Sequence, residues 1–153
     1  MEHPAIAAST LSTMRSSRDD DEPGRQPAEP GRLAADELRG TSRIQIFDGG
    51  LEKFEKLARE CVDIVRDLDT GTLEYCFFVN AEGTEAFVHE RYRDSAAGLE
   101  HMRNIGRMME PLSEVCVMTG EVCGEPNAEL REALTNAGVT IYSPLTSRLR
   151  GVP

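Results

Sequence analysis

Phe87-Val88-His89-Glu90-Arg91-Tyr92-Arg93-Asp94-Ser95-Ala96-Ala97-Gly98-Leu99-Glu100-His101 changes period midway, and that change decides the fold. In an extended chain Ala86, Val88, Glu90 and Tyr92 share one face, and Phe87, His89 and Arg91 share the other. Glu90 is therefore a carboxylate placed among apolar neighbours, and it needs a partner. Asp94 or Ser95 can accept from the exposed amides of the turn that follows, so residues 96–104 read as a helix. His101 then sits about two turns into it. One reading pairs Glu90 with His101 at the wall of an apolar cavity; the other makes them a satisfied pair that only ties helix to sheet.

Upstream, residues 43–47 form a short strand that stops at Asp48-Gly49-Gly50. Leu51, Phe54, Ala58, Cys61, Val65 and Leu68 then recur at spacings of three and four, the stripe of an amphipathic helix. After Asp69-Thr70-Gly71, residues 73–79 form a strand joined to the Glu90 strand by the turn from Asn80 to Glu85. The register that sets Val79 opposite Ala86 pairs Phe77 with Val88, Tyr75 with Glu90 and Leu73 with Tyr92. Downstream, the helical stripe breaks near Gly106 and stops near Pro111. Residues 115–123 form another strand, Asn127 caps a short helix, and residues 139–142 form a last strand. The order βαββαβ with an appendage predicts an α+β, ferredoxin-like protomer with helices on one sheet face. Cys76, Phe78 and Phe87 fall on the other face, so a homodimer packed sheet on sheet is expected, with His89 at that interface.

The first 42 residues contain no aromatic side chain and are rich in Ser, Arg, Asp, Glu and Pro, so they read as a disordered leader or a misplaced start. The folded domain is expected over residues 43–145, with residues 146–153 as a tail. The apolar run near the start is too short for a secretory signal, and no stretch approaches the roughly 20 residues of a membrane span. A cytoplasmic protein without a membrane partner is expected. A net charge of −10 argues against a nucleic-acid partner. Cys61, Cys76, Cys116 and Cys123 lack the paired spacing of a zinc site and read as small buried hydrophobes, so no metal is expected.

Residues 43–145 resemble the antibiotic biosynthesis monooxygenase domain, or quinol monooxygenase-like, family. The resemblance rests on the helix from Phe54 to Val65, Gly71-Thr72-Leu73-Glu74-Tyr75, the run from Glu90 to Ser95 followed by His101, Gly124-Glu125-Pro126-Asn127-Ala128-Glu129-Leu130 and Tyr142-Ser143-Pro144-Leu145. It implies a dimeric α+β barrel and oxidation of an electron-rich phenol or quinol by dioxygen, with no flavin, metal or other cofactor. Quinone-forming members carry an Asn and a Trp on the strand before the helix, where this chain has Val88 and Tyr92; it contains no Trp. Haem-degrading relatives share only a counterpart of His101, with Gln45 the nearest polar residue on the first strand.

Within this resemblance His101 is the expected catalytic base, since an unperturbed histidine titrates near about 6.5, and Glu90 is expected to orient it. Tyr75, Tyr92 and Asn104 are the expected partners of substrate oxygens. Phe77, Met102, Met108 and Met109 would supply apolar wall around a small aromatic substrate. Two alternatives remain open at this point: a non-catalytic dimer that holds a small ligand as sensor, carrier or pathway accessory, and a haem-binding protein that uses His101 as ligand.

Overall fold

The computed structural model describes residues 36–146; most of the expected leader and all but the first residue of the expected tail lie outside the described residues. Strand β1 runs Leu38–Ile46, so it begins before residue 43, where the sequence reading placed its start. Residues 38–42 are weakly apolar, yet a sheet buries only alternate residues. Leu38 and Gly40 are buried while Arg39 is exposed, and both edges of β1 are paired, with Leu38 opposite Tyr92 and Arg39 opposite Cys123.

Helix α1 (Leu51–Leu68) buries Phe54, Leu57, Ala58, Cys61, Ile64 and Val65. Strands β2 (Thr72–Val79) and β3 (Glu85–Tyr92) follow. Their turn is held by Asn80, whose Oδ1 accepts from the amides of Thr84 at 2.9 Å and Glu85 at 3.0 Å. The expected pairs Val79–Ala86, Phe77–Val88 and Tyr75–Glu90 are present. The fourth is not: a register irregularity between Thr72 and Glu74 sets Thr72 opposite Tyr92 and turns Leu73 out to solvent.

Helix α2 (Ser95–Ile105) is capped by Asp94, which accepts from the Ala97 amide at 2.9 Å. Ser95, the other capping candidate, instead accepts from the Asn127 amide at 3.0 Å. A 3₁₀ turn at Gly106–Met108 leads into α3 (Met109–Ser113). The helical path therefore breaks at Gly106 and ends near Pro111, at Ser113, as expected, with Pro111 itself inside α3. In the first turn of a helix the amide has no intrahelical partner to lose, so proline is tolerated there. Strand β4 (Cys116–Cys123), helix α4 (Ala128–Asn136) and strand β5 (Thr140–Tyr142) complete the described chain.

The strands form one sheet in the order β2-β3-β1-β4-β5. The first four are antiparallel and β5 lies parallel to β4, so the fold is the expected ferredoxin-like α+β arrangement with one added strand. Two packed clusters lie on its helix-bearing side. One joins Ile44, Ile46, Ala86, Val88 and Cys116 to the inner stripe of α1. The other joins Leu38, Tyr92 and Val122 to Ala97, Leu130 and Leu134.

The opposite face remains open, with Phe78 55% and Val117 56% exposed. On it His89 lies edge-on to Phe78 and Phe87, at 5.6 and 4.9 Å between ring centroids, and the Arg43 guanidinium stands 5.1 Å from the Phe87 ring. Cys61 and Cys116 are buried as expected, but Cys123 is exposed. No described helix is long and apolar enough to cross a membrane.

Candidate functional site

Between the sheet and α2, α3 and α4 lies a cavity of about 350 Å³ whose lining draws on both packed clusters. Tyr75, Phe77, Glu90, Tyr92, His101, Met102 and Met109 line it, so seven of the nine side chains singled out in the sequence meet at one space. Asn104 and Met108 do not line it. Met108 is buried in the α1-side cluster, whereas Met109 stands at the cavity as expected. The tighter 3₁₀ turn before Met109 changes the rotation per residue, so the α-helical stripe cannot be extrapolated through it.

The expected pairing of Glu90 with His101 is not what the structure forms. The Nδ1 of His101 lies 2.8 Å from Oδ2 of Asp69, an aspartate whose side chain is only 1% exposed. Asp69 ends α1 with an extended backbone and turns back under α2. Its Oδ2 also accepts from the Thr72 hydroxyl at 2.6 Å, and its Oδ1 from Nδ2 of Asn104 at 2.8 Å. Burial pushes the Asp69 pKa up, but the bonds from Asn104, Thr72 and His101 outweigh it and hold the carboxyl below its ordinary value.

The turn carrying Asp69 reaches this position because α2 offers it a matching ridge. Ala97, Glu100, His101 and Asn104 recur at helical spacing. Glu100 accepts from the Thr70 amide at 2.7 Å. A side chain on Gly71 would put its Cβ 2.5 Å from that of Ala97, so the close approach requires glycine.

Glu90 occupies a different environment. Its Oε2 accepts from the Tyr92 hydroxyl at 2.6 Å. The residue paired with Glu90 across β1 is Gly40, and a Cβ there would come within 2.5 Å of that same oxygen. Gly40 thus leaves the space that the carboxylate fills. His101, 5% exposed, stands between two phenols, with ring centroids 5.1 Å from Tyr75 and 5.2 Å from Tyr92. Burial, reinforced by nearby acidic groups, pushes both phenol pKa values up, so both hydroxyls are neutral donors at physiological pH. Burial also raises the Cys61 thiol behind Tyr75 to about 11. Because Nδ1 is committed to Asp69, Nε2 is the ring nitrogen available for proton transfer.

Sequence reasoning missed Asp69 because Asp69-Thr70-Gly71 also reads as an ordinary helix stop. One signal was present: a carboxylate at a helix C-terminus opposes the helix dipole and needs a compensating partner elsewhere.

Residues 41–105 match the family model for antibiotic biosynthesis monooxygenase, which bears out the resemblance read from the sequence over that segment. No curated protein sequence matches the chain. Among solved structures, MupZ from Pseudomonas fluorescens superposes with a TM-score of 0.64 at 22% identity, over 77% of this chain and 99% of that one. SnoaB from Streptomyces nogalater, a cofactor-independent oxygenase, superposes with a TM-score of 0.52 at 13% identity, and a conserved protein from Bacteroides thetaiotaomicron with a TM-score of 0.53 at 15% identity, over 58% of this chain and 97% of that one. SnoaB itself is covered over 91% of its length by 57% of this chain. At these identities the likeness is one of fold.

Proposed function

We propose, from the antibiotic biosynthesis monooxygenase match over residues 41–105 and the geometry around His101, that this chain is a cofactor-independent monooxygenase of small phenolic or quinol-type aromatics. The observation that carries the reading is a buried histidine bonded through Nδ1 to a buried aspartate at the wall of an apolar cavity. Nε2 of His101 takes the phenolic proton, and the imidazolium forms against the Asp69 carboxylate. The electron-rich phenolate then passes an electron to dioxygen. Recombination forms a C–O bond between dioxygen and a ring carbon that carries hydrogen; the peroxide takes the proton held on His101, and loss of that carbon's hydrogen with cleavage of the O–O bond leaves a ring carbonyl and releases water. The substrate is the reductant, so the chemistry asks of the protein only a dry cavity, a base and hydrogen-bond donors. Tyr75 is a neutral donor for a substrate oxygen, Tyr92 gives its proton to Glu90, and Phe77, Met102 and Met109 bound the ring.

Oxygen uptake with a panel of dihydroxynaphthalenes and anthrones tests the reading. His101→Ala should lower turnover by roughly 10²–10⁴-fold, the range for a lost general base, while circular dichroism stays unchanged. A folded variant with unaltered uptake would leave the cavity as a binding site only. The haem reading is disfavoured by the lining, which among the described residues offers no Lys or Arg to meet the carboxylates of a haem.

A homodimer through the open sheet face is part of the same proposal. Exposed Phe78 and Val117 flank the partly buried Phe87, which makes an apolar surface suited to burial against a second copy. Sedimentation at micromolar concentration should give the dimer mass, and Phe78→Asp should give monomer.

A further inference from the structure

The charges around the cavity restrict what can enter it. Among the described residues its lining includes the carboxylate of Glu90 and the imidazole of His101, but no Lys or Arg. Glu121 also borders the cavity, but strand alternation puts its side chain on the open sheet face, where Nε of Arg43 lies 3.8 Å from its Oε1. Asp69, behind His101, is saturated by three side chains. Glu90 is different: a neutral hydroxyl, that of Tyr92, meets its Oε2.

A carboxylate can accept about four hydrogen bonds. No fully buried side-chain nitrogen or oxygen among the described residues lacks a partner, so the remaining acceptor capacity of Glu90 is open to the cavity it lines. Gly40 keeps the carboxylate in place, because any larger residue there would displace Oε2.

We propose that Glu90 selects the ligand, accepting a hydrogen bond from a hydroxyl of an uncharged hydroxyaromatic and rejecting the same ring when it bears a carboxylate. The proposal rests on the aromatic-substrate reading above and adds the class of compound to it. Two anions in one apolar space repel strongly, since little water screens them. A hydroxyl at the same point turns that repulsion into a charge-assisted hydrogen bond.

Anaerobic titration calorimetry separates binding from turnover. Three probes are compared: 1,4-dihydroxynaphthalene, 1,4-dihydroxy-2-naphthoate and the methyl ester of that acid. The expected result is that the full chain binds the diol and the ester with similar affinity and the acid at least about tenfold more weakly. Glu90→Gln, which keeps the shape and removes the charge, should bring the acid to within a few-fold of the ester. Equal binding of acid and ester by the wild-type protein overturns the proposal, as does equal exclusion of both, which would make size the criterion. A folded Glu90→Gln variant with an unchanged acid-to-ester ratio overturns it too. If Glu90→Gln does not fold, the wild-type ratio alone decides. Binding of none of the probes overturns the aromatic reading and this proposal with it, whereas loss of the His101 effect on oxygen uptake would leave the binding preference standing.

Discussion

Two carboxylates belong to this site, Asp69 bonded to His101 from the turn after α1 and Glu90 at the cavity wall on β3, and they are held in opposite ways. Asp69 is surrounded: Thr72, Asn104 and His101 all bond to it, and its side chain is 1% exposed. Glu90 has the Tyr92 hydroxyl on one oxygen and faces the cavity with the rest. A saturated buried acid fixes its neighbours and has no capacity left for a ligand. An unsaturated one at a cavity wall still does. On the proposed function, the difference gives Asp69 the part of positioning the imidazole and Glu90 that of meeting what enters.

The largest effect should come from breaking the saturated site. Asp69→Ala strands the buried His101 and the partly buried Thr72 and Asn104 at once, and the expected loss is about 3–5 kcal/mol in urea unfolding, the scale for several hydrogen-bonding groups left unpaired together. A loss below about 1 kcal/mol would mean that the turn rearranges around the gap. The same site should be acid-sensitive. The folded-state pKa of Asp69 is depressed, so its contribution is complete above the ordinary aspartate pKa and is lost as pH falls through the lower folded value. The stability difference between wild type and Asp69→Asn should accordingly shrink in acid, measured as melting temperature against pH, and not on the alkaline side.

A smaller effect is expected at the strand site. Gly40→Ala drives a methyl group toward Oε2 of Glu90, with an expected cost of about 1–3 kcal/mol for an overpacked position and weaker binding of hydroxylated ligands. Unchanged binding would show that the carboxylate can move without consequence. The smallest change is Tyr92→Phe, which removes one hydrogen bond from Glu90 and should cost about 1 kcal/mol, read from the same unfolding curves.

Most of the architecture was legible in the sequence because it follows from periodicity. Alternation in β3 placed Val88, Glu90 and Tyr92 on the inner face, and the hairpin register brought Tyr75 opposite Glu90. The caps Asp94 and Asn127 were readable from residue type. The reading failed where a period ended. The α1 stripe placed Leu68 inside, yet it is 48% exposed, while the next residue, Asp69, turns its carboxylate inward. Leu73 failed at a strand irregularity and Met108 at a 3₁₀ turn for the same reason, since each breaks the fixed rotation per residue on which extrapolation depends.

By itself the sequence determined the order of elements, the ferredoxin-like sheet and a histidine that meets a carboxylate-bearing strand at one cavity, because local backbone geometry converts residue spacing directly into faces. Only the tertiary structure decided which carboxylate His101 bonds to. That choice depends on how closely the turn after α1 packs on α2 through Gly71 and Ala97, a contact between segments distant in the chain that no local period encodes.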